Sequence, residues 1–189
     1  MRMRQRKLEV PEQFARTTVY GSFEALLLAG YIQLESGETE LAVIRAWVSP
    51  YGRRWERVGS DEIRLAVDKE NTVVIYRLEP KTKTAYIESS EPLTQKVSPR
   101  KSARRVEVYR GLRCRVEEVS EREAEGFIRK SREWRVSDSK AENWPMRIEM
   151  HLFWREQLST IMLWDTLDIK FQLFQRELFV VPPDYKIVR

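Results

Sequence analysis

One cysteine and one histidine in a chain of 189 residues remove several chemistries at once. Cys114 alone excludes an internal disulfide framework. A lone cysteine reads first as a small buried hydrophobe. Cys114 and His151 together cannot build a zinc site. Ser-His-Asp or Cys-His catalysis would have to run through His151, and no nucleophile motif surrounds it. No glycine-rich phosphate loop and no nucleotide fingerprint occur. The expectation is a protein with no catalytic residues, no metal and no cofactor: a binding protein rather than an enzyme.

Long apolar runs are missing too. The best, Ala25 to Ile32, covers about eight residues, against roughly 20 for a membrane-spanning helix. It begins directly after Glu24, far from the basic start, so it does not read as a secretory signal core. No transmembrane segment is expected. On composition the chain is cytoplasmic, unless an export or anchor segment has been removed from it.

Apolar residues make up 42% of the chain and charged residues 33%, with six tryptophans and seven tyrosines. That balance suits one soluble domain with large inward side chains. The net charge of +5 is unevenly placed. Arg2, Arg4, Arg6 and Lys7 precede the first acid, Glu9. Lys96, Arg100, Lys101, Arg104 and Arg105 lie between Glu91 and Glu107 with no acid among them. These nine charges exceed the net, so the body is mildly acidic and carries two basic arms.

Residues 1–16 read as a basic lead-in. From Thr17 onward short β-rich segments alternate with polar turns. Thr17 to Tyr20 is strand-like. Phe23 to Leu34 fits a strand or a short helix. Leu41 to Val48, Arg54 to Val58, Ile63 to Val67, Thr72 to Leu78 and Thr84 to Glu88 are strands. Turns at Ser36-Gly-Glu-Thr, Ser49-Pro-Tyr-Gly, Gly59-Ser-Asp-Glu, Asp68-Lys-Glu-Asn and Glu79-Pro-Lys-Thr separate them. This spacing predicts an antiparallel meander. Ser89 to Arg105, with two prolines and five basic residues, predicts a long exposed loop. Val106 to Tyr109 and Leu112 to Val119 flank a turn at Arg110-Gly111. Ser120-Glu-Arg-Glu has the form of a capping box, so a short helix is expected there. Phe127 to Val136 fits a strand or a helix, with strand favoured; Met146 to Phe153 and Ile169 to Phe174 read as further strands, and Leu158 to Leu167 as strand or helical turn. Phe179-Val-Val runs as a strand into Pro182-Pro183. Tyr185, Ile187 and Val188 then re-enter the core, fastening the C-terminus into a sheet. The fold class is mainly β, a curved antiparallel sheet of eight to eleven strands forming a half-barrel with one or few short helices. Residues 17–189 form the single domain, with the exposed basic loop at 89–105.

Several patterns occur in a set order: Leu78-Glu-Pro-Lys-Thr-Lys-Thr-Ala-Tyr86, Gly111-Leu-Arg-Cys114, Trp134-Arg-Val, Pro145-Met-Arg-Ile-Glu149 and the ending Leu178 to Val188. Together they make Leu78–Val188 resemble the lipoprotein-carrier superfamily, the LolA-like and LolB-like unclosed β-barrels. The resemblance implies a cup for acyl chains, or a shape reused for protein docking, and a binding role without chemistry. It also implies an extracytoplasmic setting, periplasmic or membrane-associated. Fold alone does not fix function.

Trp47, Trp55, Ile75, Tyr86, Trp134, Ile148, Met150, Phe171 and Phe179 are expected to share one side of the curled sheet. Ordinary core packing is the plainer reading of these nine, and a ligand cavity the sharper one. Met150 to Leu163 with Trp164 reads as core or as a docking surface for a partner or a membrane. Arg100, Lys101, Arg104 and Arg105 read as a solvated loop, or as contacts to an acidic partner or anionic head groups. Nucleic acid ranks last as a partner, because no aromatic residue is interleaved with these charges. The acids Glu117, Glu118, Glu121, Glu123 and Glu125 read as a solvated face. The leading expectation is a protein holding a lipid or an acylated protein. The second is an accessory subunit of a larger assembly, packed solid and docking through its basic arms.

Overall fold

The computed structural model describes residues 21–92, 105–122, 126–137 and 140–189. Among the described residues, twelve strands form one unclosed sheet. The strands are β1 (Phe23–Gln33), β2 (Thr39–Ser49), β3 (Gly52–Arg57), β4 (Ile63–Lys69), β5 (Thr72–Glu79) and β6 (Thr84–Pro92), then β7 (Arg105–Tyr109), β8 (Leu112–Arg122), β9 (Phe127–Val136), β10 (Pro145–Trp154), β11 (Gln157–Phe171) and β12 (Lys186–Val188). Their order across the sheet is β12-β6-β5-β4-β3-β2-β1-β11-β10-β9-β8-β7. Two meanders, β1 to β6 and β7 to β11, are therefore joined where β1 meets β11. The described pairings are antiparallel except that of β12 with β6. A curved, mainly β half-barrel is what alternation and turn chemistry predict, with one strand more than expected.

Alternation assigns the faces. Phe23, Ala25, Leu27 and Ala29 of β1 are fully buried, and their neighbours Leu26 and Leu28 only partly so. The buried set pairs with Val48, Ala46, Ile44 and Ala42 of β2. On the other side it faces Phe171, Ile169, Thr166 and Trp164 of β11. This is the inner face. The opposite, outer face carries the exposed Leu41 and Ile32. A bulge at Leu167 lets one long strand, β11, pair with both β1 and β10.

The tail crosses the outer face. Residues 172–175 lead into a short 3₁₀ helix, Arg176–Phe179. Phe179, fully buried, closes a second apolar cluster with Leu65, Val74, Tyr76, Leu78 and Ala85. Tyr185 packs against the same cluster. β12 then adds to the sheet edge at β6. The Lys83 ammonium, 2.8 Å from Asp184, holds that carboxyl below its ordinary range, and Asp184 raises Lys83 in return. The C-terminus is fastened into the sheet as expected, but by a different route. Phe179-Val-Val is not a strand. β12 occupies the free edge of β6, and Phe179 instead packs onto the outer face. Ile187 points to solvent, 53% exposed, rather than into the core.

Two other expectations are corrected. Ser120 to Arg122 continues β8 and pairs with Ile128 to Lys130, so no capping box forms there. The cross-strand partners on β9 outweigh a local preference worth about 1 kcal/mol. The loop expected over 89–105 is corrected at its ends: Ser89 to Pro92 belong to β6 and Arg105 opens β7. The basic lead-in at 1–16, the strand-like Thr17 to Tyr20, Lys96, Arg100, Lys101 and Arg104 lie outside the described residues.

Gly52 makes a tight backbone approach between the sheet and the tail. Its φ is 153°, and a Cβ there would sit 2.6 Å from the Ala66 carbonyl and 3.4 Å from the Phe179 Cβ. Gly52→Ala is expected to lower stability by about 2–3 kcal/mol through strain and displaced packing. Urea unfolding of the variant checks this.

Candidate ligand-binding face

The centre of the inner face has small side chains. Ala25 pairs with Ala46, and Ala29 with Ala42, on the neighbouring strands β1 and β2. Leu27 and Ile44 lie between the two pairs. Trp55 of β3 stands opposite Ala46 on one flank. Trp164 of β11 stands opposite Ala29 on the other. The face is thus an alanine floor between two tryptophan walls. Met150 and Ile148 of β10 extend it past Trp164. The floor residues are small and the walls bring large apolar surface, and all of them are buried.

The β9–β10 connection closes part of this face. Trp144, 1% exposed, packs edge-on against Phe23 with ring centroids 5.1 Å apart. Its indole N–H donates to Thr166 Oγ1 at 3.2 Å, and Thr166 donates to the Pro145 carbonyl. Between Trp144 and Trp55 a crevice of about 10 Å³ is lined by Leu27, Ile44, Ala46, Val48 and Arg53. That is roughly the space one water needs.

Buried charge enters the inner face at two places. Arg53, 3% exposed, is ion-paired with Asp68. Burial lowers the Arg53 pKa, and the Asp68 carboxylate opposes that shift. At the far end, the buried Glu133 pairs with Arg135 at 2.7 Å and accepts from Ser131. Arg135 also donates to the Asn143 carbonyl. The apolar floor is therefore bounded by buried ion pairs.

The β7–β9 end is buried on its outer face instead, through Cys114, Val116, Trp134 and Val136. The turn after β7 reaches back as far as β11. Tyr109 donates to Asp165 Oδ1 at 2.8 Å, and Arg110 pairs with Asp165 Oδ2 at 3.0 Å. The Asp165 contact raises Arg110 above its ordinary pKa, and the hydrogen bond to Tyr109 does the same for Arg147. Trp134 donates to Glu107.

Of the nine residues expected on one side, register places Trp55, Ile75, Tyr86, Ile148, Met150 and Phe171 on the inner face. The other three lie elsewhere. Trp47 pairs with Arg54 and faces outward, since the tight Ser49–Gly52 turn sets Ala46 rather than Trp47 opposite Trp55. Trp134 pairs with Arg147, also outward, because of the irregularity between Pro145 and Arg147. Phe179 lies in the 3₁₀ helix on the outer side. A one-residue register change reverses a side chain's face, and turn length decides it. Arg105 opens β7, exposed, with its guanidinium 2.8 Å from Glu107. His151 is half-buried on the outer face, beside Lys130, Arg132 and Glu149 in a hollow of about 380 Å³. Sequence reasoning missed the alanine floor, Trp144 and the flanking role of Trp164. Alanines at positions 25, 29, 42 and 46 were the available signal.

Among the described residues, no three His, Cys, Asp or Glu side chains converge to hold a metal. No helix there is long and apolar enough to cross a membrane.

No family model matches the chain, and no curated protein matches it in sequence. Among solved structures it is similar to an uncharacterised conserved protein from Thermus thermophilus. That pair shows 14% identity and a TM-score of 0.49, covering 94% of this chain and 95% of the other. It is also similar to a LolA superfamily protein from Nitrosomonas europaea, at 11% identity and a TM-score of 0.46, covering 89% and 94%. A DUF1329 family protein from Desulfovibrio piger gives 8% identity and a TM-score of 0.46, covering 89% and 93%. The likeness in each case is one of fold.

Proposed function

We propose that this protein is a non-enzymatic binding protein that holds the acyl chain of a lipid or of an acylated protein on the inner face of its open sheet. The observation that carries the reading is the alanine floor of β1 and β2 between Trp55 and Trp164. A continuous apolar face with small central residues suits a flexible hydrocarbon chain. The ordered motifs between Leu78 and Val188, which resemble those of lipoprotein carriers, support the same reading and an extracytoplasmic setting. No reaction is assigned to the face; its buried charged groups Arg53 and Glu133 are engaged in ion pairs with Asp68 and Arg135.

Native mass spectrometry of gently purified protein, followed by solvent extraction, tests the reading. The expected result is an adduct of lipid mass that leaves on extraction.

A second reading is an accessory subunit packed solid at its centre. The narrow crevice beside Trp144 favours it. Here Trp144 is structural, and the basic arms, Arg100, Lys101, Arg104 and Arg105 among them, dock on an acidic partner. This reading expects a clean apo mass, together with pull-downs that fail when residues 1–7 and 96–105 are deleted.

A further inference from the structure

Four tryptophans are buried, and their indole N–H groups divide into two pairs. Trp134 donates to Glu107 at 3.0 Å, and Trp144 to Thr166 at 3.2 Å. The indole nitrogens of Trp55 and Trp164 are buried with no acceptor among the described residues. Trp55 is 7% exposed and Trp164 3%. These two are the walls of the inner face, on β3 and β11, on opposite sides of the alanine floor. A buried indole N–H ordinarily finds a partner, and leaving it unmet forfeits the hydrogen bond it makes to water in the unfolded chain. Both unmet donors fall on the face with small central residues. The two satisfied donors serve the β9–β10 connection and the β7 edge.

We infer that the indole N–H groups of Trp55 and Trp164 bind carbonyl oxygens of an acylated ligand, so that this face selects acyl esters or amides over plain hydrocarbon. The inference rests on the proposed reading of the face as a lipid site. Its chemistry follows from the surroundings. Around Trp55 the lining is Leu27, Ile44, Ala46, Val48 and Trp144, with Arg53 and Arg54 already ion-paired to Asp68 and Glu56. A water there would meet few of the two to four polar partners it needs. A phosphate or carboxylate would lose more hydration than a neutral donor returns. An oxygen carried on an otherwise apolar molecule satisfies the donor and keeps the apolar contacts. Trp55 and Trp164 are three strands apart, about 14 Å along the sheet at the usual strand spacing, and they also sit at different heights on it, opposite Ala46 and Ala29. Each indole therefore takes its own acceptor.

The test uses delipidated full-length protein and two probes of matched length, methyl decanoate and dodecane. Both are scored by displacement of bound N-phenyl-1-naphthylamine. Methyl decanoate is expected to bind about tenfold tighter than dodecane, as one added hydrogen bond allows. Benzothienylalanine at position 55 or 164 replaces the N–H by sulfur with the shape kept. In at least one of the two variants the ester is expected to weaken about three- to tenfold, with dodecane unchanged. Trp55→Phe and Trp164→Phe give the same comparison should the unnatural residue disturb folding, because dodecane binding reports the loss of shape separately. Equal affinity of the two probes, or an ester preference that survives in both sulfur variants, overturns the inference while leaving the lipid reading intact. Failure of both probes to bind overturns the lipid reading and the inference with it.

Discussion

Trp144→Ala is expected to cost about 3–5 kcal/mol of stability, the range for emptying a large aromatic from a packed site. Three contacts are lost together. The edge-on packing on Phe23 goes, the N–H bond to Thr166 goes, and the cover over Leu27 and Val48 goes. Thr166 and Phe23 are themselves fully buried, so neither gains solvent without rearrangement. Trp144→Phe keeps most of the packing and loses the hydrogen bond, and it is expected to cost about 1–2 kcal/mol. Urea unfolding of both variants measures the difference. A cost under about 1 kcal/mol for Trp144→Ala, the size of a single ordinary hydrogen bond, would mean that the β9–β10 connection does not hold the face closed.

Asp68→Asn is the second large effect. Arg53 is buried, and Asp68 is the carboxylate paired with it. Removing the carboxylate takes away the Coulombic and hydrogen-bond compensation it gives a buried guanidinium, and breaking a buried pair costs about 3–5 kcal/mol. Burial already lowers the Arg53 pKa, and the Asp68 carboxylate opposes that shift. Replacing both residues, as Arg53→Met with Asp68→Leu, is expected to recover most of the loss, because the apolar pair demands no compensation. Thermal and urea unfolding of the single and double variants form the cycle that measures it. Recovery would show that the pair fixes geometry at the edge of the inner face rather than supplying net stability.

The local parts of this fold were legible in the chain. Alternation marked Leu41 to Val48, Ile63 to Val67 and Met146 to Phe153, and short polar turns set their ends. The non-local parts were not. Nothing in Phe23 to Gln33 announces that its second neighbour is β11, more than a hundred residues away. The bulge at Leu167, which merges two apparent strands into β11, is also silent in the sequence. Faces were legible only where register was. Trp55, Ile75, Tyr86, Ile148, Met150 and Phe171 fall on one face, while the turn at Ser49–Gly52 reversed Trp47. Phe179 misled because an apolar triplet before two prolines has the same pattern in a strand and in a 3₁₀ turn packed on a sheet. The candidate face itself was half legible. Its large residues stood out, and its four alanines did not, because small side chains carry no signal until a register aligns them.

The most direct measurement is a titration of delipidated protein with a fluorescent acyl probe, run beside Ala46→Phe. That substitution places a ring on the floor between Trp55 and Ala25. Saturable binding is predicted for the native chain. Ala46→Phe is predicted to weaken it at least about tenfold, the effect of losing roughly one buried methylene or two of contact, with the circular dichroism spectrum preserved. Equal binding by both proteins, or no saturable binding by the native chain, would contradict the lipid reading.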